Sequence, residues 1–320
     1  MRYFSTFSGI GGFEKGIKEV DSSADFVAYS EIDKYAISVY ERNFNGTPNF
    51  GDITKINADQ LPDFDCLVGG FPCQAFSIAG KRRGFEDTRG TLFFDLARIL
   101  KAKTPRLFVF ENVKGLLSHD NGNTFRTIIA AIDELGYDCQ WQVINSKNHG
   151  VPQNRERIII VGHLRGTPRP EVFPLGNANE KDTRHIGRDV AYTIDANYAK
   201  GTNTLAKSRR SLVADIIQLN NPTHSNDRVY DQDGISPTLN TITSVAKDNL
   251  VVELPKIRRL TPVECERLQA FPDNFTEYGE DQNGVRVPIS NSQRYKMCGN
   301  AVTTNVIRDV FEKIFNGSDK

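Results

Sequence analysis

Short apolar runs alternate with amphipathic stretches through the first half of the chain. Five apolar runs predict buried strands, and they lie at residues 2–7, 26–30, 65–69, 107–110 and 139–144. Four stretches with apolar residues at helical spacing predict helices, and they carry Phe13, Ile17 and Val20; Ile32, Ala36, Val39 and Tyr40; Leu92, Phe93, Leu96 and Ile99; Phe125, Ile128, Ile129 and Ile132. Strands that alternate with helices are typical of an open α/β sheet.

A glycine-rich turn follows the first predicted strand. Residues 8–12 (Ser-Gly-Ile-Gly-Gly) lead into a helix, and glycines there let the backbone approach a ligand at the helix N-terminus. The dinucleotide fingerprint needs a third glycine where this chain has Glu14. Glu31 lies about twenty residues past the turn, where a carboxylate binds ribose hydroxyls, and Asp52 ends the next candidate strand. These residues predict a nucleoside-like ligand, and a plain strand-to-helix turn is the alternative.

Cys73 lies just past the strand at 65–69, after a glycine pair and Pro72. The proline ring fixes φ, so Cys73 is presented from a constrained turn at the carboxyl end of a strand, where open α/β sheets bind ligands. This frame, and the polar Gln74 after it, argue against the alternative of a small apolar cysteine that only fills the core. The glycine-flanked basic stretch 79–90 predicts either a loop that closes over a polyanion or an ordinary solvated loop.

Charged side chains mark two further strands. Glu111 follows the run at 107–110, where burial disfavours the charged form and suits a carboxyl group to proton donation; a helix cap is the alternative. Gln153, Arg155 and Arg157 precede an apolar run at 158–162 and would project to one face of a strand. One amide and two guanidiniums suit recognition of an anion or a base edge, and a structural row of ion pairs explains them equally well.

Composition narrows the class of protein only slightly. The 320 residues carry a formal net charge of zero, so any basic footprint for nucleic acid must be local. The five cysteines are far apart and form no Cys-x-x-Cys pair, which predicts a reducing compartment and argues against disulfides or a structural zinc. Neither a signal peptide nor a membrane-spanning apolar run is recognisable, so we expect a soluble intracellular protein.

The second half changes character from about residue 168. Asn and Thr become frequent, apolar spacing becomes strand-like, and basic residues cluster at Arg184, His185, Arg188, Lys200, Lys207, Arg209 and Arg210. We predict a small, irregular, mostly β domain at 168–291, inserted into a larger domain formed by residues 1–167 and 292–320. Thr261-Pro262-Val263-Glu264 predicts a helix start with a capping box. Residues 300–315 predict an amphipathic helix that returns to the larger domain.

The motifs resemble, in their order and approximate spacing, those of DNA (cytosine-5)-methyltransferases of the bacterial and phage type. They are residues 7–13, 31–33, 51–53, 70–74 (Gly-Phe-Pro-Cys-Gln), 111–113 (Glu-Asn-Val), 153–157 (Gln-Asn-Arg-Glu-Arg) and 298–302 (Cys-Gly-Asn-Ala-Val). The similarity covers nearly all of the chain except about 166–252. It implies a Rossmann-like, S-adenosylmethionine-dependent methyltransferase domain, with 168–291 as the target-recognition domain.

The resemblance also implies roles for individual residues. Cys73 is the nucleophile that adds to C6 of a flipped-out cytosine, Glu111 acts at N3, Arg155 assists at O2, and Arg157 and Gln153 support the site. The positions expected around S-adenosylmethionine are Phe7, Gly9, Ile10, Gly11, Gly12, Glu31, Ile32, Asp52, Ile53, Pro72, Leu92, Asn300 and Val302. Ile32 stands where an aromatic residue often stacks on adenine. The residues expected to contact DNA are Gln74, Lys81, Arg82, Arg83, Arg89, Arg209 and Arg210.

From this resemblance we expect sequence-specific methylation of C5 in double-stranded DNA, with S-adenosylhomocysteine as the product and no metal. We expect a monomer in the bacterial cytoplasm, associated with the nucleoid, serving a restriction-modification system with a cognate endonuclease or acting as a phage or orphan methylase. The alternatives are an RNA (tRNA) cytosine-5 methyltransferase and a catalytically inactive DNA-binding relative. A nicotinamide dehydrogenase is disfavoured by Glu14 at the glycine position and by the rigid turn before Cys73.

Overall fold

The predicted α/β sheet is present, and in the described part of the chain it has seven strands. The computed structural model describes residues 1–72, 92–175, 183–186, 229–231, 236–237, 250–253 and 256–317. The strands of the first half are β1 (Arg2–Thr6), β2 (Asp25–Ser30), β3 (Cys66–Gly70), β4 (Leu107–Val113), β5 (Tyr137–Asn145), β6 (Gln153–Asn154) and β7 (Glu156–Leu164), and β8 (Thr183–Ile186) follows. The order in the sheet is β2-β1-β3-β4-β7-β5-β8.

The sheet changes direction between its fourth and fifth positions. Strands β2, β1, β3 and β4 are mutually parallel, whereas β7 runs antiparallel to both β4 and β5. The carboxyl ends of the four parallel strands therefore lie at the same edge as the first residues of β7. This edge is where open α/β sheets bind their ligands.

Helices cover both faces of the sheet, and their bounds are α1 (Gly12–Val20), α2 (Lys34–Asn43), α3 (Leu92–Lys103), α4 (Asn123–Glu134), α5 (Pro262–Leu268), α6 (Asn291–Asn300) and α7 (Thr304–Asn316). One face packs on α3 and α4 through residues such as Leu96 and Ile128. The other face packs on α1 and α7 through residues such as Ile17 and Phe311. This three-layer arrangement confirms the predicted Rossmann-like fold class. None of the helices among the described residues combines the length and apolar character needed to span a membrane.

The second half of the chain contributes short strands: β9 (Val229–Asp231), β10 (Ser236–Pro237), β11 (Leu250–Glu253), β12 (Lys256–Arg259), β13 (Tyr278–Glu280) and β14 (Arg286–Pro288). A turn at Asn283-Gly284 joins β13 and β14, which pair as an antiparallel hairpin. The predicted capping box is present, with Thr261 Oγ1 accepting from the Glu264 N–H at 3.2 Å and Glu264 Oε2 accepting from the Thr261 N–H at 2.6 Å.

Three sequence predictions outside residues 153–157 differ from the structure. Ile32 does not lie on the apolar face of α2, because the helix begins at Lys34 with Asp33 as its N-cap, and Ile32 is 73% exposed. The predicted strand before Asp52 is a single bridge between Tyr29 and Asn49. The predicted helix at 300–315 begins only at Thr304, since α6 ends at Asn300 and extended backbone separates the two helices.

Parts of the predicted small domain pack on the main sheet. The amides of Gln140 and Gln142, on β5, bond to the backbone at residues 170–175, and β8 extends the sheet beside β5. Phe271 and Ile289 pack against residues of α2 and α6. The limits 168–291 remain a prediction.

Candidate active site

The functional side chains lie along one edge of the sheet, in the order of its strands. Glu31 follows β2, the glycine turn follows β1, Phe71 and Pro72 follow β3, and Glu111 lies near the end of β4. The register pairs Gly70 with Glu111 and Val113 with Arg157, the latter at the start of β7. The sheet topology thus brings together groups from five separate parts of the sequence.

The glycine turn has a backbone conformation that L side chains rarely adopt. Phe7, Gly9 and Gly11 have φ values of +51°, +55° and +87°. A Cβ at Gly11 would lie 2.1 Å from the Phe44 ring, whereas a Cβ at Gly9 would meet no described atom within 4 Å. Gly11 is therefore required by packing, and Gly9 leaves an open approach to the backbone at the start of α1.

Glu31 braces this turn. One carboxylate oxygen accepts the Gly9 N–H at 2.8 Å, and the other accepts the N–H groups of Ile32 and Asp33 at 2.8 and 2.9 Å. A carboxylate has about four acceptor positions, so three backbone bonds leave room for one further donor such as a hydroxyl group. The neighbouring Ile32 presents an exposed apolar side chain beside it.

Gly12 and Gly16 explain why the third fingerprint glycine can be absent. They lie four residues apart on one face of α1, and a Cβ on Gly16 would lie 2.6 Å from the Thr304 carbonyl oxygen. A Cβ on Gly12 would lie 2.7 Å from Val302 Cγ1. These two glycines supply the close helix contact, so position 14 can carry a buried glutamate. Sequence reasoning missed Gly16, although its spacing from Gly12 was visible.

The turn after β3 is shaped by two close approaches. A Cβ at Gly69 would lie 2.2 Å from Thr6 Oγ1, and a Cβ at Gly70 would lie 3.1 Å from Glu111 Oε2. The buried Asn112 amide donates to the Phe71 carbonyl oxygen at 2.9 Å and so fixes the turn before Pro72. The sequence patterns alone did not indicate this role of Asn112. Pro72 is exposed, and Cys73, one peptide bond further on, lies outside the described residues.

Glu111 and Arg157 form an ion pair at this edge. Arg157 Nε lies 2.9 Å from Glu111 Oε1, and both side chains are largely shielded from solvent. Glu111 lies within β4, and Val113 occupies the N-cap position of the following 3₁₀ turn at Lys114–Leu117. This excludes the helix-cap alternative for Glu111. The pair combines a carboxylate and a rigid donor fork beside the turn that leads to Cys73.

The structure separates Gln153 and Arg155 from Arg157. The predicted single strand is interrupted at Arg155, whose N–H donates to the Gln153 carbonyl oxygen at 2.9 Å in a tight turn. The Gln153 amide donates to the Leu268 carbonyl oxygen at 2.9 Å, and the Arg155 guanidinium donates to the carbonyl oxygens of Gly299 and Ala301. Of the three side chains expected on one face, only Arg157 contacts Glu111.

The remaining predicted cofactor positions differ in exposure. Asn300 is exposed, and Leu92 and Val302 are partly buried. Ile10 and Ile53 are buried in the core, so they would meet a ligand only through their backbone. Asp52 caps the 3₁₀ turn at Ile53–Lys55, and its hydrogen bonds with Thr54 lower the pKa of its carboxyl group. The predicted DNA contacts lie outside the described residues, namely Gln74, Lys81, Arg82, Arg83, Arg89, Arg209 and Arg210.

Comparison with known proteins gives one consistent family. The family model for C-5 cytosine-specific DNA methylases matches residues 1–316. The type II methyltransferase M1.ScrFI of Lactococcus lactis subsp. cremoris is 38% identical over 320 residues, covering 98% of this chain and 78% of the relative. The orphan methyltransferase M.SPRI of Bacillus phage SPR is 32% identical over 433 residues of alignment, covering 99% and 98%.

A solved structure supports the fold independently. The Dnmt2 methyltransferase of S. pombe matches with a TM-score of 0.67 at 16% identity, and the match covers 98% of both chains. The family match confirms the resemblance carried by the sequence motifs, and several of the described motif residues lie around the sheet edge described above. The chain belongs to the C-5 cytosine-specific DNA methylase family.

Proposed function

We propose that this protein methylates C5 of cytosine at a specific sequence in double-stranded DNA, with Cys73 as the nucleophile and S-adenosylmethionine as the methyl donor. The observation that carries the proposal is the meeting of three features at one sheet edge. The open glycine turn follows β1, the rigid turn before Cys73 follows the neighbouring β3, and the Glu111–Arg157 pair follows on β4 and β7.

The glycine turn fits a nucleoside-type cofactor. Gly9 leaves its backbone approachable, Glu31 keeps acceptor capacity for a ribose hydroxyl, and the exposed Ile32 offers an apolar face to a flat ring. S-adenosylmethionine, when bound, supplies an electrophilic methyl group on a sulfonium. Asn300 and Val302 lie on the segment that packs against Gly12, so they would close the opposite side of the same cradle.

Two side chains of this protein, Cys73 and Glu111, take part in the proposed reaction. The Cys73 thiolate forms a bond to C6 of the cytosine, and the electron pair of the C5–C6 double bond moves into the ring towards N3. Glu111 would hold a proton at N3 as that charge develops. S-adenosylmethionine, held at the glycine turn and Glu31, would supply the methyl group that C5 takes. Transfer of the C5 proton to a water molecule restores the double bond and expels the Cys73 thiolate.

The cytosine has to leave the DNA duplex for this chemistry. The thiolate approaches C6 from above the ring plane, and stacked neighbours cover that face inside a helix. Extrusion of the base costs a few kcal/mol, which contacts with the protein must offset.

The described cysteines support the assignment of Cys73. Cys66, Cys139, Cys265 and Cys298 are all buried. Burial raises the pKa of the Cys66 and Cys298 thiols well above their usual range, and that of Cys139 to about 12. Thiolates are the reactive form, so these buried thiols are poorly suited to be the nucleophile.

The contacts favour a different division of work between the two arginines from the one expected. Arg157 contacts Glu111 at 2.9 Å, whereas Arg155 is 2% exposed and bonds to backbone carbonyls of the C-terminal segment. We therefore assign the role at cytosine O2 to Arg157. Gln153 would support the site through its bond to the Leu268 carbonyl oxygen.

A type II enzyme and a phage orphan enzyme both match this chain over nearly its full length. The protein would therefore serve as the modification enzyme of a restriction-modification system or as a phage or orphan methylase. Bisulfite sequencing of DNA from a host that expresses the protein would identify the methylated sequence.

The direct test combines methyl transfer with trapping. The protein is incubated with labelled S-adenosylmethionine and either mixed-sequence duplex DNA or tRNA, and separately with duplex DNA that carries 5-fluorocytosine. We expect label in duplex DNA and a denaturation-resistant adduct that peptide mapping assigns to Cys73. Transfer to tRNA alone, an adduct at another residue, or undiminished transfer by Cys73→Ala would contradict the proposal. No transfer to either substrate would favour the inactive relative.

Glu111→Gln tests the proposed role of Glu111 at N3 of the cytosine. We expect its single-turnover rate to fall by roughly 10²–10⁴, the usual contribution of a general acid. Glu156→Gln is the matched control, because Glu156 pairs with Lys114 at the surface of the same region. Surface pairs contribute little, so its rate should stay within about threefold of wild type. Equal rates for the two variants would remove Glu111 from the mechanism.

A further inference from the structure

Arg155 caps the C-terminal end of α6. Its Nη2 donates to the Ala301 carbonyl oxygen at 2.8 Å, and both terminal nitrogens donate to the Gly299 carbonyl oxygen at 3.3 Å. The last carbonyls of a helix lack partners within the helix, and a cation near them is favoured by the helix dipole. The guanidinium thus holds α6 and the extended residues after it in one place.

Stability alone does not explain a guanidinium at this position. Arg155 is 2% exposed, and among the described residues no carboxylate oxygen lies within 4.0 Å of its side-chain nitrogens. Burial lowers the pKa of the guanidinium to about 9. A buried charge without an ionic partner costs free energy that an apolar side chain of similar size would not. An apolar side chain could fill this position, so what the guanidinium adds is the hold of its carbonyl contacts on residues 299–301.

The segment that Arg155 holds forms one side of the glycine turn. Val302 packs closely on Gly12. A Cβ built on Gly12 would lie 2.7 Å from Val302 Cγ1 and 3.1 Å from the Val302 carbonyl oxygen. Gly12 is the first residue of α1 and directly follows Gly11 of the turn. A movement of residues 299–302 would change the space beside the turn, because nothing separates Val302 from Gly12.

Other bonds tie the same segment down, so loss of one should loosen it without unfolding it. The Gln269 amide donates to the Cys298 carbonyl oxygen at 2.9 Å, and Thr303 Oγ1 donates to Gln269 Oε1 at 2.7 Å. Ser146 Oγ lies 2.9 Å from Thr303 Oγ1 and links the segment to the end of β5. Arg155 is the charged member of this buried network.

We propose that Arg155 is a positioning residue: by fixing residues 299–302 against the glycine turn it sets the affinity for S-adenosylmethionine, and it does not act on the base. This inference rests on the proposed function for the identity of the cofactor. Arg157, two residues further on, serves the other half of the reaction through Glu111. Two arginines that are close in sequence thus have different roles. Arg155 affects the binding of the cofactor, and Arg157 acts with Glu111 on the cytosine.

The test compares three arginines that each bond to several acceptors. Arg155→Lys and Arg155→Met are measured beside Arg157→Lys and Arg165→Lys. Arg165 bonds to the Asp133 carbonyl oxygen in the last turn of α4 and to the Asp138 carboxylate. It follows the far end of β7, roughly 26 Å from Arg157 at strand spacing. It is therefore a control for the loss of a partly buried arginine network away from the site.

The first measurement is the Kd of S-adenosylhomocysteine without DNA, by calorimetry. The second is the single-turnover methylation rate at saturating cofactor. We expect the Arg155 variants to bind at least about tenfold more weakly, roughly 1.4 kcal/mol, and to keep rates within about threefold. Arg157→Lys should show the reverse: an unchanged Kd and a reduced rate. Arg165→Lys should lower the melting temperature and change neither quantity.

An unchanged Kd in folded Arg155 variants, with a reduced rate, would overturn the inference. It would favour the original expectation that Arg155 acts at O2 of the cytosine. If both Arg155 variants fail to fold, the double variant Ser146→Ala/Thr303→Val loosens the same segment from its other side and should raise the Kd about threefold; an unchanged Kd would again contradict the inference. If wild type binds S-adenosylhomocysteine but transfers no methyl group, the proposed function fails, whereas a raised Kd in the variants would still support a positioning role.

Discussion

Glu14 makes the stability of the folded protein depend on pH near neutrality. Its side chain is fully buried in the first turn of α1, and Oε1 accepts from the Tyr40 hydroxyl at 2.9 Å. Burial raises the pKa of the Glu14 carboxyl from its ordinary value of 4.5 to about 7. Below pH 4.5 the group is protonated in both states, and between pH 4.5 and 7 only the unfolded chain loses the proton. The free energy of unfolding therefore falls as pH rises through this window.

The size of the fall follows from the two pKa values. At about 1.36 kcal/mol per pH unit, the whole effect is about 3 kcal/mol, and most of it falls between pH 5 and 8. The Glu14→Gln variant has no ionisable group at this position. Its free energy of unfolding, relative to that of wild type, should rise by this amount between pH 5 and 8. Urea denaturation of both proteins at several pH values in this range measures the difference directly.

Glu19→Gln is the matched control, because it removes a carboxylate from the same helix at a partly exposed position where it pairs with Lys15. Its difference from wild type should stay within about 1 kcal/mol at every pH. Parallel pH profiles for Glu14→Gln and wild type would refute the reasoning, since they would mean that Glu14 ionises alike in the folded and unfolded states. A wild-type stability that rises from pH 5 to 8, with the variant unchanged, would give the opposite sign and refute it too.

Two further substitutions test the backbone and the close helix contact. Thr104 follows α3 with a φ of +44°, so Thr104→Gly should stabilise the protein by about 1 kcal/mol and raise the melting temperature; a lower melting temperature would contradict this. Gly16→Ala should destabilise by about 1–3 kcal/mol in urea unfolding, because its Cβ would lie 2.6 Å from the Thr304 carbonyl oxygen, whereas Glu19→Ala, at a solvent-accessible position of the same helix, should cost far less. Equal losses for these last two variants would argue against a close contact between α1 and α7.

Local sequence patterns were sufficient to predict the main strands of the sheet and several of the side chains at its edge. The run at 107–110 predicted β4, and its position next to β3 in the sheet places Glu111 beside Gly70. Parallel strands that each end in a polar or glycine-rich segment indicated a ligand site before any resemblance was considered. Apolar spacing and turn residues are local properties, so they indicate where strands lie but not that β7 runs antiparallel between β4 and β5.

Partners that are distant in the sequence could not be predicted in this way. The acceptors of Arg155 lie 144 and 146 residues further along the chain, and periodicity gives no information on which carbonyls a guanidinium will reach. Ile32 fits the apolar spacing of α2, but Asp33 accepts the N–H groups of Tyr35 and Ala36 and so starts the helix after it. In both cases hydrogen bonds determine the structure, and the hydrophobic pattern of the sequence does not predict them.

The reversed direction of β7 explains how one site can draw on two arginines so close in sequence. In a wholly parallel sheet, the neighbour of β4 would present its last residues at this edge. Here β7 presents its first residues instead, and the turn that precedes it lies at the same edge. Arg157, inside the strand, pairs with Val113 and reaches Glu111 two residues earlier on β4, while Arg155, in the tight turn before β7, is outside this pairing and reaches α6. A substitution that straightened this turn would move both halves of the site together, whereas substitutions of the individual side chains should separate them.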